Sequence, residues 1–160
     1  MKKYLSIILF LTLFIGGELF SQTFYYGGRL GLSLARADKT TTSKLGLQIG
    51  GLLEYVTATN LAFETELNWN SQEGTPIEWA LQLKYYFETN IRGLKPYLAI
   101  GGDLWFFGDG PYVGGKVGGG LDMQLSRYFV IPLDLQIGQV FMGDETANYF
   151  AGTTGIKFIF

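Results

Sequence analysis

The sequence predicts an all-β chain that folds as an eight-stranded antiparallel up-and-down transmembrane β-barrel with a polar lumen. Three observations lead to this fold class. Apolar residues alternate with polar or small residues along eight segments, and no segment after Phe24 keeps the 3.6-residue spacing of an amphipathic helix. The charged residues of these segments fall on one face. The other face carries more large apolar side chains than the narrow interior of an eight-stranded barrel can hold.

The N-terminal segment is predicted to be a secretory signal peptide that comprises residues 1–21. Lys2 and Lys3 precede an apolar stretch over residues 4–15, and small and polar residues follow it. This stretch is shorter than the roughly 20 residues that a membrane-spanning helix needs. We therefore expect cleavage after Ser21, which leaves residues 22–160 as the β-barrel domain.

The first four predicted strands occupy the segment from Tyr26 to Phe87 and are separated by turn-forming residues at 36–43, 57–60 and 71–76. Each has an apolar face with a period of two. The apolar residues, strand by strand, are Leu30, Leu32 and Leu34; Leu45, Leu47, Ile49, Leu53 and Tyr55; Leu61, Phe63, Leu67 and Trp69; and Ile77, Trp79, Leu81, Leu83, Tyr85 and Phe87.

The last four predicted strands follow the connection at 89–95 and are separated by turns at 108–111, 126–128 and 143–148. Their apolar residues are Leu98, Ile100, Leu104 and Phe106; Val113, Val117, Leu121, Met123 and Leu125; Ile131, Leu133, Leu135 and Ile137; and Phe150, Ile156, Phe158 and Phe160. Pro132 lies in the seventh strand and has no amide hydrogen to donate, which predicts a bulge there.

The predicted strands are about ten residues long, the length that a tilted strand needs to cross a bilayer. Their number is even, and closing the sheet removes the exposed edges that would otherwise aggregate. Small residues on the polar face suit a crowded lumen better than a solvated surface; they include Gly27, Gly31, Gly46, Gly50, Gly114, Gly118 and Gly120. Aromatic residues gather near strand ends as in interfacial girdles, among them Tyr25, Trp69, Phe107, Tyr112, Tyr128 and Tyr149.

The charged residues of the polar face share one parity, and we predict that they fill the lumen as an ion-pair network. These residues are Arg29, Glu54, Glu64, Glu66, Glu78, Lys84, Asp103, Lys116, Asp122, Asp134 and Lys157. Glu88 has the same parity as its neighbours in the fourth strand.

The composition excludes most enzyme chemistry. The 160 residues include no histidine and no cysteine, so triads, thiolate nucleophiles, imidazole or zinc sites and disulfides are absent. The formal net charge of -2 has the wrong sign for a nucleic-acid-binding surface. We therefore predict no catalytic residues, no cofactor, no metal and no nucleic-acid partner.

The C-terminal residues carry a family resemblance. Ile156, Phe158 and Phe160 alternate up to a terminal Phe, which resembles the C-terminal insertion signal of bacterial outer-membrane barrels. With the signal peptide and eight strands, the chain is similar to the small outer-membrane barrel family that includes OmpX and the OmpA membrane domain. The resemblance implies a bacterial outer-membrane location after signal-peptide cleavage, contact with membrane lipid and lipopolysaccharide, insertion by the barrel assembly machinery, and a monomer. It also implies periplasmic termini and extracellular connections at 36–43, 71–76, 107–111 and 143–148.

Three classes of function stay open at this point. The leading class is an integral outer-membrane barrel with a non-catalytic structural or surface-interaction role. A second is a small-molecule channel that resembles the OmpW type, and a third is a secreted soluble barrel that binds a ligand as lipocalins do.

Overall fold

The computed structural model describes residues 23–37, 43–72, 74–108 and 110–160, so the predicted signal peptide lies outside the described residues. The chain forms eight strands: β1 (Thr23–Ala37), β2 (Lys44–Val56), β3 (Leu61–Asn70), β4 (Ile77–Tyr86), β5 (Leu94–Phe107), β6 (Gly110–Gln124), β7 (Phe129–Met142) and β8 (Glu145–Ile159). The described residues contain no helix with the length and hydropathy needed to cross a membrane.

The strands form one closed antiparallel barrel. Each strand pairs with the next along the chain, and β1 also pairs with β8 from Tyr25↔Ile159 to Ala37↔Ala147. Closure pairs both edges of the sheet, which leaves no open row of backbone donors and acceptors. The predicted fold class is confirmed.

The side chains alternate between a polar interior and an apolar exterior. Leu45, Leu135 and Ile100 point outward and are 64%, 60% and 61% exposed, whereas Glu54, Lys84 and other charged side chains point inward. A soluble barrel has the opposite arrangement, with its apolar side chains inside. An exterior of this kind is suited to lipid.

Two inward tyrosines lie across from glycines on the neighbouring strand. Tyr97 pairs with Gly120 and Tyr149 pairs with Gly138. A Cβ on Gly120 would come within 2.6 Å of the Tyr97 ring, so glycine leaves the space that the ring occupies. This arrangement matches the cross-strand packing of an aromatic ring over glycine that stabilises strongly curved sheets.

The predicted bulge at Pro132 is wrong. The β7–β8 register is the same on both sides of the proline, with Val130 opposite Lys157 and Leu133 opposite Thr154. Pairing is interrupted only beside Pro132, where the Thr154 hydroxyl donates to the Pro132 carbonyl oxygen at 3.0 Å. The hydroxyl therefore satisfies the Pro132 carbonyl oxygen where the backbone pairing is interrupted, and no residue is inserted.

The strands extend beyond the predicted turn boundaries. β1 continues to Ala37, β6 begins at Gly110, and β8 begins at Glu145, so the last hairpin turns through 143–144 alone. Gly143 has a φ of 70°, the left-handed conformation that favours glycine. We call the end of the barrel with connections 38–43, 71–76, 108–109 and 143–144 the loop end, and the opposite end, with both strand termini, the terminal end.

Several aromatic residues that were predicted to lie in the girdles instead face inward. Tyr149 is buried, Phe107 and Tyr112 pack with it and Trp105 at the loop end, and the Tyr25 ring lies 5.3 Å from Lys157 Nζ. Trp69 and Tyr128 are exposed on the outside. Each inward aromatic has the parity of the charged residues on its own strand, which the girdle prediction did not take into account.

Candidate functional site

The barrel interior contains all eleven charged residues that the sequence predicted there. None is more than 6% exposed, and they comprise seven acids and four bases. Glu88 is exposed because β4 ends at Tyr86, two residues before it. Fully buried charges are stable only when they are paired and hydrogen-bonded, so their partners determine what this interior can do.

At the terminal end, two lysines surround one glutamate. Lys84 Nζ and Lys157 Nζ each lie 3.2 Å from Glu54 Oε2. Lys157 also pairs with Asp122. The Tyr86 hydroxyl lies 2.8 Å from Glu54 and 2.9 Å from Asp122, so it connects the two carboxylates.

At the centre, Arg29 binds carboxylates from two other strands. Its Nη1 donates to Glu66 Oε1 at 2.6 Å, and its Nη2 donates to Glu64 at 3.1 Å. Asp134 Oδ2 lies 3.4 Å from the same Nη2. Lys84 Nζ donates to Glu64 at 2.7 Å, which joins this cluster to the one at the terminal end.

Towards the loop end, Lys116 continues the same alternation of charge. Its Nζ donates to Glu78 Oε1 at 2.8 Å and lies 3.5 Å from Glu66 Oε2. Asn68 donates from one amide nitrogen to Glu66 at 2.9 Å and to Glu78 at 3.2 Å. Ten of the eleven predicted residues are thus joined in one network that alternates acids and bases.

Asp103 is the exception, since no ion pair among the described residues includes it. Its Oδ2 accepts a hydrogen bond from the Tyr149 hydroxyl at 2.5 Å. Asp103 lies beside the cluster of Trp105, Val140 and Tyr149, where the inward positions are aromatic or aliphatic instead of basic. Sequence analysis missed Tyr86 and Tyr149 as interior hydrogen-bond donors, although strand parity places both among the charged residues.

The chemistry of this interior is that of a filled lumen. The bases occupy the spaces between the acids. The described residues contain no group of three acidic side chains arranged to hold a metal ion. The network connects β1, β2, β3, β4, β6, β7 and β8 through side chains, across the lumen as well as around the wall. These contacts join side chains of strands that are not neighbours in the sheet.

The residues of the predicted insertion signal lie on the outside of β8 and at its end. Ile156 and Phe158 are 45% and 42% exposed, and Phe160 is 95% exposed. The Phe160 amide donates to the Phe24 carbonyl oxygen at 2.9 Å, and the Phe158 ring lies 5.6 Å from that of Tyr26. The C-terminal residues therefore pack along the β1–β8 pair that closes the barrel.

The sequence matches no protein-family model and no curated protein, but the structure is similar to solved barrels. Neisserial surface protein A has a TM-score of 0.71 at 14% identity, with 88% of this chain and 99% of that chain covered. The N-terminal β-barrel domain of Pseudomonas aeruginosa OprF has a TM-score of 0.60 at 15% identity, with 84% and 97% covered.

A designed transmembrane β-barrel is also similar, with a TM-score of 0.52 at 10% identity and with 84% of this chain and 95% of that chain covered. At these identities the similarity concerns the fold. The chain has the fold of a small eight-stranded outer-membrane β-barrel, as the family resemblance implied.

Proposed function

We propose that the protein is an integral barrel of the bacterial outer membrane with a non-catalytic structural or surface-interaction role, and that its lumen is closed. The observation that carries this proposal is the charged network from Asp122 to Glu78, because it fills the interior of a barrel whose exterior is apolar. Contact with outer-membrane lipid and lipopolysaccharide follows from that exterior. The same arrangement opposes a soluble lipocalin-like carrier, which needs an apolar interior.

The orientation and maturation of the chain are part of the same proposal. Residues 1–21 act as a signal peptide, the mature chain starts at Gln22, both termini lie in the periplasm, and the loop end faces outward. Ile156, Phe158 and Phe160 act as the signal that the barrel assembly machinery binds. N-terminal sequencing of the protein from outer membranes of a Gram-negative host should give Gln22 as the first residue; retention of Met1 would contradict this assignment.

Conductance in planar lipid bilayers tests whether the lumen is closed. The full mature protein should give no more current than bilayers without protein, because Arg29 and Lys84 each pair with a carboxylate on a non-adjacent strand, Glu66 and Glu54 respectively. Discrete channel openings would contradict the closed-lumen proposal and support the small-molecule channel.

A pair of variants makes the conductance experiment informative. Replacing Arg29 and Lys84 together by glycine removes the centre of the network and should produce measurable current. The matched control replaces the outward residues Leu53 and Leu81 by glycine. This variant should give no current above that of the bilayer without protein. A heat-dependent shift in gel mobility must first show that both variants form barrels. If the folded Arg29/Lys84 variant gave no current, groups other than these two residues would close the barrel.

A further inference from the structure

The loop end of the lumen differs from the rest of the interior because it is apolar. Its inward side chains include Ala35, Trp105, Phe107, Met142, Ala147 and Tyr149. They surround a cavity of about 260 Å³, with Lys44 and Gln72 also in its wall. These residues have the parity of the lumen, so contact with lipid does not explain their apolar character.

Two buried aromatic rings form the floor of this cavity. Trp105 and Tyr149 are 5% and 7% exposed, and their rings lie 5.2 Å apart at 62°. Tyr149 is held by its hydrogen bond to Asp103, and the ion-pair network begins beyond Asp103 with Lys116 and Glu78. A molecule that enters at the loop end therefore stops at the Trp105–Tyr149 pair.

The wall of the cavity is suited to an aromatic guest. The rings of Trp105, Phe107 and Tyr149 line the space. Tyr112 lies behind Phe107, with the two rings 4.8 Å apart at 43°. Aromatic rings prefer tilted or edge-to-face neighbours, and a methionine side chain such as that of Met142 adds favourable sulfur–aromatic contact. Concave, mostly apolar cavities with few polar groups at the margin are typical of small-molecule sites.

The geometry points to a binding site for a small, uncharged aromatic molecule at the loop end of the lumen, in contact with Trp105 and Tyr149. Such a ligand would be the molecule that the proposed surface-interaction role recognises. The inference rests on the proposed function, because the ligand reaches the site from outside the cell only if the loop end faces outward. The ligand does not pass through the barrel, since the network below the floor closes the lumen.

Trp105 provides a direct reporter, because Trp69 and Trp79 both point outward. The probe is 4-bromophenol, whose bromine quenches tryptophan on contact. In lipid nanodiscs, the Trp69→Phe/Trp79→Phe variant retains only Trp105, and its fluorescence should be quenched saturably. The Trp69→Phe/Trp105→Phe variant retains only Trp79 on the lipid face and should show the linear quenching of a probe that dissolves in lipid.

Two further substitutions in the Trp105-only protein locate the binding. Ala147→Phe fills the cavity and should weaken saturable quenching at least tenfold. Thr146→Phe, one residue away and on the outer face, should leave it unchanged. The proposal would be overturned if the two substitutions had equal effects or if quenching of Trp105 were linear. The aromatic assignment would be overturned if 8-bromooctanoate quenched saturably and 4-bromophenol did not.

The failure of this site is distinguishable from failure of the proposed function. Gel mobility of unheated and heated samples reports barrel formation without reference to the cavity, and nanodiscs expose both ends of the barrel to the probe. A folded, non-conducting barrel without saturable quenching contradicts the aromatic site alone. Saturable quenching in a barrel that conducts ions contradicts the closed lumen and retains the site.

Discussion

Arg29 shows how single residues hold the interior together. Its guanidinium joins Glu64, Glu66 and Asp134 and is almost completely buried. A planar guanidinium donates in several fixed directions, which lets one side chain serve carboxylates on different strands. Removal of this group would leave buried acids close together without their shared cation.

Replacing Arg29 by methionine should therefore destabilise the barrel by about 3–5 kcal/mol, the usual cost of breaking a buried ion pair by removing one partner. The measurement is the free energy of unfolding in urea from lipid vesicles. The matched control is Arg127→Met, since Arg127 is exposed in the turn between β6 and β7. The control should change stability by less than about 1 kcal/mol, as exposed charges do; similar losses in both variants would contradict the network's contribution.

At the level of the strand, small inward residues set the space available to large ones. Gly120 and Gly115 both belong to β6, but they face opposite sides. A Cβ on Gly120 would lie 2.3 Å from the Leu133 carbonyl oxygen and within 2.6 Å of Tyr97, whereas the nearest atom to a Cβ on Gly115 is the Gly101 carbonyl oxygen at 3.9 Å. The two positions therefore test inward crowding with the same substitution.

Gly120→Ala should lower the free energy of unfolding by about 1–3 kcal/mol, the range for overpacking an interior. Gly115→Ala should have no such cost because its added methyl group meets only ordinary contacts. Urea unfolding of both variants from the same vesicles measures the difference. A Gly115 loss as large as the Gly120 loss would indicate that the intrinsic backbone effect of replacing glycine, and not crowding in the lumen, determines the cost.

Strand parity makes a second prediction on β7. Leu135 is 60% exposed on the outer face, and Gln136 is buried in the lumen. Leu135→Arg should cost about 2–4 kcal/mol if it lies near the bilayer midplane, because lipid solvates the guanidinium poorly. Gln136→Arg should cost less because the interior has three more acids than bases. Equal losses in vesicle unfolding would contradict the assignment of outer and inner faces.

Sequence reasoning predicted the strands well because alternation has a period of two and leaves little choice of face. It gave wrong predictions at Pro132 and Asp103, where contacts between distant parts of the chain decide the structure. The Thr154 hydroxyl that donates to the Pro132 carbonyl oxygen lies 22 residues away in the sequence, so no local pattern reveals it. The exclusion of Asp103 from the ion-pair network depends on closure of the barrel. Asp103 is on β5 and Tyr149 is on β8, and these strands do not pair, so the two side chains meet only inside the closed lumen.

The whole molecule combines an interior that is charged over most of its depth with an exterior that is apolar around the barrel. Each face depends on a particular environment. The exterior needs an apolar solvent, and the interior needs the closed wall that keeps its ion pairs in register. The β1–β8 pair closes the barrel, and we expect this closure to require a lipid environment for the apolar exterior.

The most direct test of this account is to fold the mature chain, residues 22–160, with and without lipid vesicles. Far-UV circular dichroism and the gel mobility of unheated and heated samples follow the same preparations. We expect a β spectrum and a heat-dependent mobility shift with vesicles, and neither in plain buffer. A stable, monomeric β-barrel in plain buffer would contradict it, because such a protein must turn its apolar side chains inward.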